Sequence, residues 1–113
     1  MCLRSRELLE IRSRVIEILR KLADEINATI YLFGSYARGD HMIDSDIDIV
    51  VVSTLFRDVR YVDRVVFVRS RLPRDLDFDI IPLTPEEFEK RLNRSFFKEI
   101  SRYWIEIRPS RET

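Results

Sequence analysis

The sequence predicts an α/β (α+β) fold, with three to four strands and helices covering at least one face of the sheet. Two observations predict it. The chain opens on a long run of apolar residues at helical spacing, and short β-branched or alternating runs then follow, separated by helix signals.

Leu8, Ile11, Val15, Ile18, Leu22 and Ile26 recur at helical spacing, with Glu7, Glu10, Arg14, Glu17, Arg20, Lys21 and Asp24 between them, which makes a long amphipathic first helix. Thr29 to Phe33 is short, β-branched and aromatic, a strand ending at Gly34. Ser35 to Arg38 form one helical turn before Gly39 stops it. Ile47 to Val52 is a second strand, apolar on both faces in its later half, which predicts a central position. Val59 to Arg71 carries Val59, Val62, Val66 and, one step off, Phe67 among charges, and reads as a helix despite its β-branched content. Leu76 to Leu83 alternates and reaches Pro82, a third strand. Thr84-Pro85-Glu86-Glu87 is a helix start, with Thr84 as N-cap, Pro85 in the first position and Glu87 closing a capping box. Phe88 and Leu92 then face the core; Asn93 to Ile100 continues as a further helix, and Tyr103 to Ile107 alternates as a candidate edge strand before a polar tail.

A length of 113 residues fits one domain, 1–113, and 45% hydrophobic residues suffice for a core. The formal charge is zero, with 20 basic and 20 acidic residues, so no global field draws the chain to nucleic acid or to an anionic membrane. Cys2 is the only cysteine, which excludes an internal disulfide and cysteine-based zinc ligation and fits a reducing cytoplasm. The first residues carry charges throughout where an export signal needs an apolar stretch, and no run approaches the roughly 20 apolar residues of a membrane span. A cytoplasmic protein is the expectation.

The segment Leu32 to Val52, LFGSYARGDHMIDSDIDIVVV, puts Gly34-Ser35 at the end of one strand and Asp46 and Asp48 at the start of the next. Two carboxylates on one face of a strand need a counter-charge, and a divalent cation is the obvious one. If the two strands run antiparallel, both motifs share one sheet edge. Ser35 and the N–H groups opening the following turn can then hold a phosphate that Gly34 lets approach, while Asp46 and Asp48 hold Mg²⁺ together with water and phosphate oxygens. Arg38 either contacts the triphosphate or forms a surface salt bridge. The third strand offers Asp77 and Asp79, of which Asp79 is favoured because it lies deeper, between Phe78 and Ile80, where an unpaired carboxylate would be costly. It would act as general base or bind the second ion of a two-metal site.

These residues resemble the nucleotidyltransferases of the DNA polymerase beta superfamily, whose signature is Gly-Ser, a spacer, and Asp-x-Asp: here Gly34-Ser35, Tyr36 to Ser45, and Asp46-Ile47-Asp48. The fuller string GSYARGDHMIDSDIDIVV looks like the minimal nucleotidyltransferase subgroup, and DFDIIPLTPEEF also resembles it, with a third Asp before an apolar pair and a proline, in support of Asp79. The resemblance implies a nucleotidyltransferase fold, a mixed sheet flanked by helices. It also implies Mg²⁺-dependent binding of ATP or another nucleoside triphosphate, and transfer of the nucleoside monophosphate to an acceptor hydroxyl with release of pyrophosphate. Several members of the subgroup are similar to antitoxins that silence a HEPN-type helical toxin by adenylylating a tyrosine on it. The expectation is therefore a nucleotidyltransferase, of adenylyltransferase type, acting on a partner protein. The competing classes are an antitoxin that works by binding alone and a nucleotide-binding regulatory subunit; a homo-oligomer is compatible with either.

Other residues near the motif have plainer readings. His41, the only histidine, reads as an exposed loop residue rather than a catalyst. Asp40 and Asp44 read as solvated, and Ser45 as orienting the loop before Asp46. Arg69, Arg71 and Arg74 read as a solvated helix end rather than a site for RNA or an acidic partner. Phe96, Phe97, Tyr103 and Trp104 are expected mostly in the core.

Overall fold

The computed structural model describes residues 3–110; Cys2 and residues 111–113 at the end of the polar tail lie outside the described residues. The elements are α1 (Leu3–Ile26), β1 (Thr29–Phe33), α2 (Ser35–Arg38), β2 (Ile47–Val52), a 3-10 turn at Thr54–Phe56, α3 (Tyr61–Arg69), β3 (Phe78–Leu83), α4 (Pro85–Arg91), α5 (Ser95–Ile100) and β4 (Ile105–Ile107). The sheet runs in the order β3-β2-β1-β4. β1 is antiparallel to β2 and β4, and β2 is parallel to β3, so the sheet is mixed, with β2 central and β4 at an edge.

Alternation along the strands builds two cores. Ile30, Leu32, Ile47, Ile49, Val51, Phe78 and Ile80 face Val15, Leu19, Leu22, Ala23 and Ile26 of α1 and Val68 of α3. On the opposite face Phe33, Val50 and Leu83 meet Phe97 and Ile100 of α5. Tyr31 lies between Phe88 and Trp104, with ring centroids at 4.9 and 4.3 Å. Each fully buried Leu, Ile or Phe contributes about 1.5–3 kcal/mol, and both layers are needed because β2 is apolar on both sides.

α4 starts as expected: the Glu87 N–H donates to Thr84 Oγ1 at 3.2 Å, and the Thr84 N–H donates to Glu87 Oε1 at 2.8 Å. The same Glu87 oxygen accepts from Arg64 at 2.6 Å. Here α3 departs from its apolar pattern. Val62 and Val66 are 59% and 62% exposed, while Arg64 and Val68, on the opposite side of the helix, point inward. Arg64 tolerates burial because its guanidinium also donates to the carbonyls of Val59, at 2.8 Å, and Pro82, at 3.4 Å. Among the described residues no helix is long and apolar enough to cross a membrane.

Candidate active site

The antiparallel pairing of β1 with β2 brings the end of β1 beside the start of β2, with Phe33 opposite Asp48. The parallel pairing of β2 with β3 brings the start of β3 to the same edge, with Asp79 opposite Asp48. Cross-strand partners share a face, so Phe33, Asp48 and Asp79 all project on the side covered by α4 and α5. Asp46 is exposed and stands one residue before β2 rather than within it. Asp77 likewise precedes β3: its carbonyl accepts from the Ile47 N–H at 2.9 Å, and the residue lines a cavity with Val66, Arg69 and Arg74 on the α3 side. It lies outside the β2–β3 register that pairs Asp79 with Asp48.

One expectation about Asp79 is corrected. Its neighbours Phe78 and Ile80 are buried, but Asp79 itself is exposed, because successive strand residues face opposite ways. Register with Asp48 singles it out, not the cost of burial. The carboxyl of Asp48 is half-buried, and its pKa is raised, first by burial and then by the negative charges of Asp79 and Asp46, against a smaller pull from Arg38. These side chains therefore lie close enough to act on one another.

Gly34 adopts φ 72° and ψ −155°, a conformation open essentially to glycine alone. A Cβ at this position would collide with Asp48 Oδ2 and lie 3.1 Å from Asp48 Cγ. The missing side chain of the Gly-Ser pair is thus the space into which the second Asp of Asp-x-Asp fits. Ser35 opens α2, whose first intrahelical bonds are donated by Ala37 and Arg38 to the Gly34 carbonyl, both at 3.1 Å. The N–H groups of Ser35 and Tyr36 precede that first bond.

The turn is tied to α1 by two residues whose roles the sequence did not show. Arg12 donates Nε to the Tyr36 carbonyl at 2.7 Å and Nη2 to that of Ala37 at 3.4 Å. His41 is only 4% exposed, which corrects the exposed-loop reading: its ring stacks on Tyr36 at 4.3 Å, and Nε2 donates to the Leu8 carbonyl at 2.8 Å. Ser45 does orient the loop, since its Oγ accepts from the Met42 N–H at 2.8 Å. Asp40 and Asp44 are exposed, as expected. Arg38 pairs with Asp40 at 3.2 Å and donates to Tyr103 Oη at 3.2 Å, its guanidinium 5.2 Å from the Tyr103 ring centre. Arg69 and Arg71 are fold contacts rather than a merely solvated end: Arg69 donates to the Phe78 carbonyl at 2.8 Å, and Arg71 lies over the Phe67 ring and pairs with Glu25 at 3.3 Å. Tyr61, at the start of α3, has its phenol pKa raised, chiefly by burial, with Arg91 opposing the rise and Asp79 adding to it.

Among the described residues no group of three or more His, Cys, Asp or Glu side chains forms a ready-made metal cage. Oxygen donors that repel one another at an open edge nevertheless fit a hard divalent cation, and Mg²⁺ in particular keeps several waters and completes its shell with substrate phosphates.

A mixed sheet flanked by helices, with Gly-Ser, Asp-x-Asp and a third carboxylate at one edge, defines a nucleotidyltransferase fold. Residues 12–108 match the nucleotidyltransferase domain family, and the chain belongs to it. A protein of Methanocaldococcus jannaschii named "Putative protein adenylyltransferase" is 28% identical over 100 residues, covering 82% of this chain and 98% of the relative. A second protein of that organism, with the same designation, is 38% identical over 71 residues, covering 63% of this chain and 68% of the relative. The crystal structure of "a putative nucleotidyltransferase from Sulfolobus solfataricus" superposes with a TM-score of 0.56 at 26% identity, covering 74% of this chain and 78% of that one. The chain is a nucleotidyltransferase, as its resemblance implied.

Proposed function

We propose that the protein transfers AMP from ATP to a hydroxyl group of a partner protein. The observation that carries this reading is the fit of Asp48 into the space left by Gly34, in register with Asp79, since it joins both motifs and the third carboxylate at one point. The names of the two archaeal relatives support a protein acceptor. A HEPN-type toxin is the partner that the subgroup resemblance favours, with this chain as its antitoxin.

In this reading Asp46, Asp48 and Asp79 would hold Mg²⁺, which would supply positive charge to offset the negative charge of the triphosphate. Ser35 and the N–H groups opening α2 bind phosphate oxygens. Arg38 exchanges its exposed pair with Asp40 for the phosphates, at small cost because solvent screens a surface ion pair. The acceptor oxygen attacks the α-phosphorus, the bond from that phosphorus to the oxygen bridging to the β-phosphate breaks, and pyrophosphate leaves. The hydroxyl proton passes to Asp79, whose carboxylate is open to solvent on the side from which an acceptor arrives.

Incubation with α-labelled ATP, Mg²⁺ and the product of the neighbouring gene tests this. Label should pass to the partner with wild type and not with Asp46→Asn plus Asp48→Asn. No transfer by wild type, together with full binding or neutralisation of the partner by the double variant, would replace the enzyme with an antitoxin that works by contact alone.

A further inference from the structure

Phe96 and Phe97 are neighbours on α5 with opposite fates: Phe97 is 4% exposed, whereas Phe96 is 51% exposed. A single exposed ring is ordinary, so the location matters rather than the exposure. Phe96 meets Phe33 edge-on, with centroids at 5.7 Å and planes at 85°, and meets Phe97 at 5.5 Å and 89°. It is thus braced by two rings while half of its surface stays open. Phe33 is the residue opposite Asp48 on β1, on the same face of the sheet. Cross-strand Cβ atoms lie about 5 Å apart, so Phe33 links the open ring to Asp48 by two successive contacts, a reach on the order of 10 Å that a ribose and its α-phosphate together cover. Tyr103 packs against the same cluster as Phe33 and Phe97, and Arg38 donates to its Oη.

We propose that Phe96 is the shelf on which the nucleobase of the incoming triphosphate stacks, with Phe33 and Phe97 holding the ring in place. This rests on the nucleotidyl-transfer reading and deepens it by assigning the base subsite. A purine has the larger face and stacks best. Stacking accepts any base, because each presents a π-face. Phe96 therefore supplies affinity with little base selection, and ATP and GTP should bind within a few-fold of one another.

The test uses the full chain with Mg²⁺ and three probes: a non-hydrolysable ATP analogue, the triphosphate of 2-aminopurine riboside, and inorganic tripolyphosphate. Phe96→Ala should raise the Kd of the ATP analogue by about 5- to 150-fold, the range corresponding to ~1–3 kcal/mol for one stacked base. It should also abolish the quenching of 2-aminopurine fluorescence expected with wild type, while the Kd of tripolyphosphate stays within about twofold. Phe96→Trp should restore both nucleotide signals; Phe96→Ala gives up its ring contacts with Phe33 and Phe97 and should melt somewhat lower, so binding is measured well below its Tm, where it remains folded. Unchanged nucleotide affinity and quenching in Phe96→Ala would overturn the shelf, as would an equal loss of tripolyphosphate binding. Loss of partner binding alone would overturn it too, and make Phe96 a protein contact. If wild type binds neither nucleotide nor tripolyphosphate, the nucleotidyl-transfer reading itself fails and takes the shelf with it.

Discussion

Gly34→Ala offers a direct test of the fit between the two motifs. At φ 72° and ψ −155° a non-glycine residue costs about 1–3 kcal/mol in backbone strain. The new methyl group must also displace Asp48 Oδ2, an overpacking that costs a further ~1–3 kcal/mol. Replacing glycine narrows the unfolded ensemble and returns about 0.4–1 kcal/mol. The net loss is about 1–6 kcal/mol, which at ~2.1 cal/mol/K per residue lowers Tm by about 4–24 °C in a chain of 113 residues. Gly39→Ala is the control, since it also has positive φ, at 88°, but nothing lies within 4 Å of the added carbon. It bears only the strain, about 1–2 kcal/mol before the same unfolded-state return, and should lose no more than about 6 °C. Calorimetry or circular dichroism melts measure both variants, repeated with Mg²⁺ and a non-hydrolysable ATP analogue. Added ligand should stabilise wild type and Gly39→Ala but not Gly34→Ala, whose Asp48 carboxylate has been pushed from its place. A Gly34→Ala melt within about 4 °C of Gly39→Ala, or ligand stabilisation equal to wild type, would refute the reasoning.

Three further outcomes are expected. Asp48→Asn should raise Tm in the absence of divalent cation while eliminating transfer: the folded pKa of Asp48 lies above its ordinary 3.8, so its ionised form opposes folding, and the gain over wild type should grow as pH rises from below 3.8 through the folded pKa. Arg64→Met should lose about 2–4 kcal/mol in urea melts, since it strips the carbonyls of Val59 and Pro82 and the carboxylate of Glu87 of a buried donor, moderated because Glu87 is partly in water. The bond from Arg64 holds Glu87 below its ordinary 4.5, so this part of the stabilisation is present above pH 4.5 and lost as pH falls through the lower folded value; the gap between wild-type and Arg64→Met melts should narrow in acid without closing, since the carbonyl bonds do not titrate. Thr84→Ala should cost about 1 kcal/mol by removing the N-cap acceptor, with transfer activity retained once folded.

The signals legible in the chain were those with short reach. The capping box of α4 needs only Thr84 and Glu87, three positions apart, and its geometry follows. The β-branched run of β2, apolar on both sides, announced a central strand, and β2 lies between β1 and β3. Readings that depended on knowing which layer covers a residue fared less well. Val62 and Val66 look like a core stripe, yet Arg64 takes the inward position because three acceptors on other segments await its guanidinium. His41 looks like loop, yet a carbonyl of α1 and the ring of Tyr36 bury it.

The sequence by itself determined the element order and the Gly34-Ser35 and Asp46-x-Asp48 motifs, because each rests on residue type and near-neighbour spacing. Only the tertiary structure decided that Gly34 lacks a side chain where Asp48 needs room, that Asp79 is matched to Asp48 across a parallel pair, and that Phe96 stands open against Phe33. The physical reason is that strand pairing joins residues far apart in the chain. Alternation assigns a residue to a face of its own strand, but the register between strands assigns its neighbour, and the candidate active site is made of those neighbours.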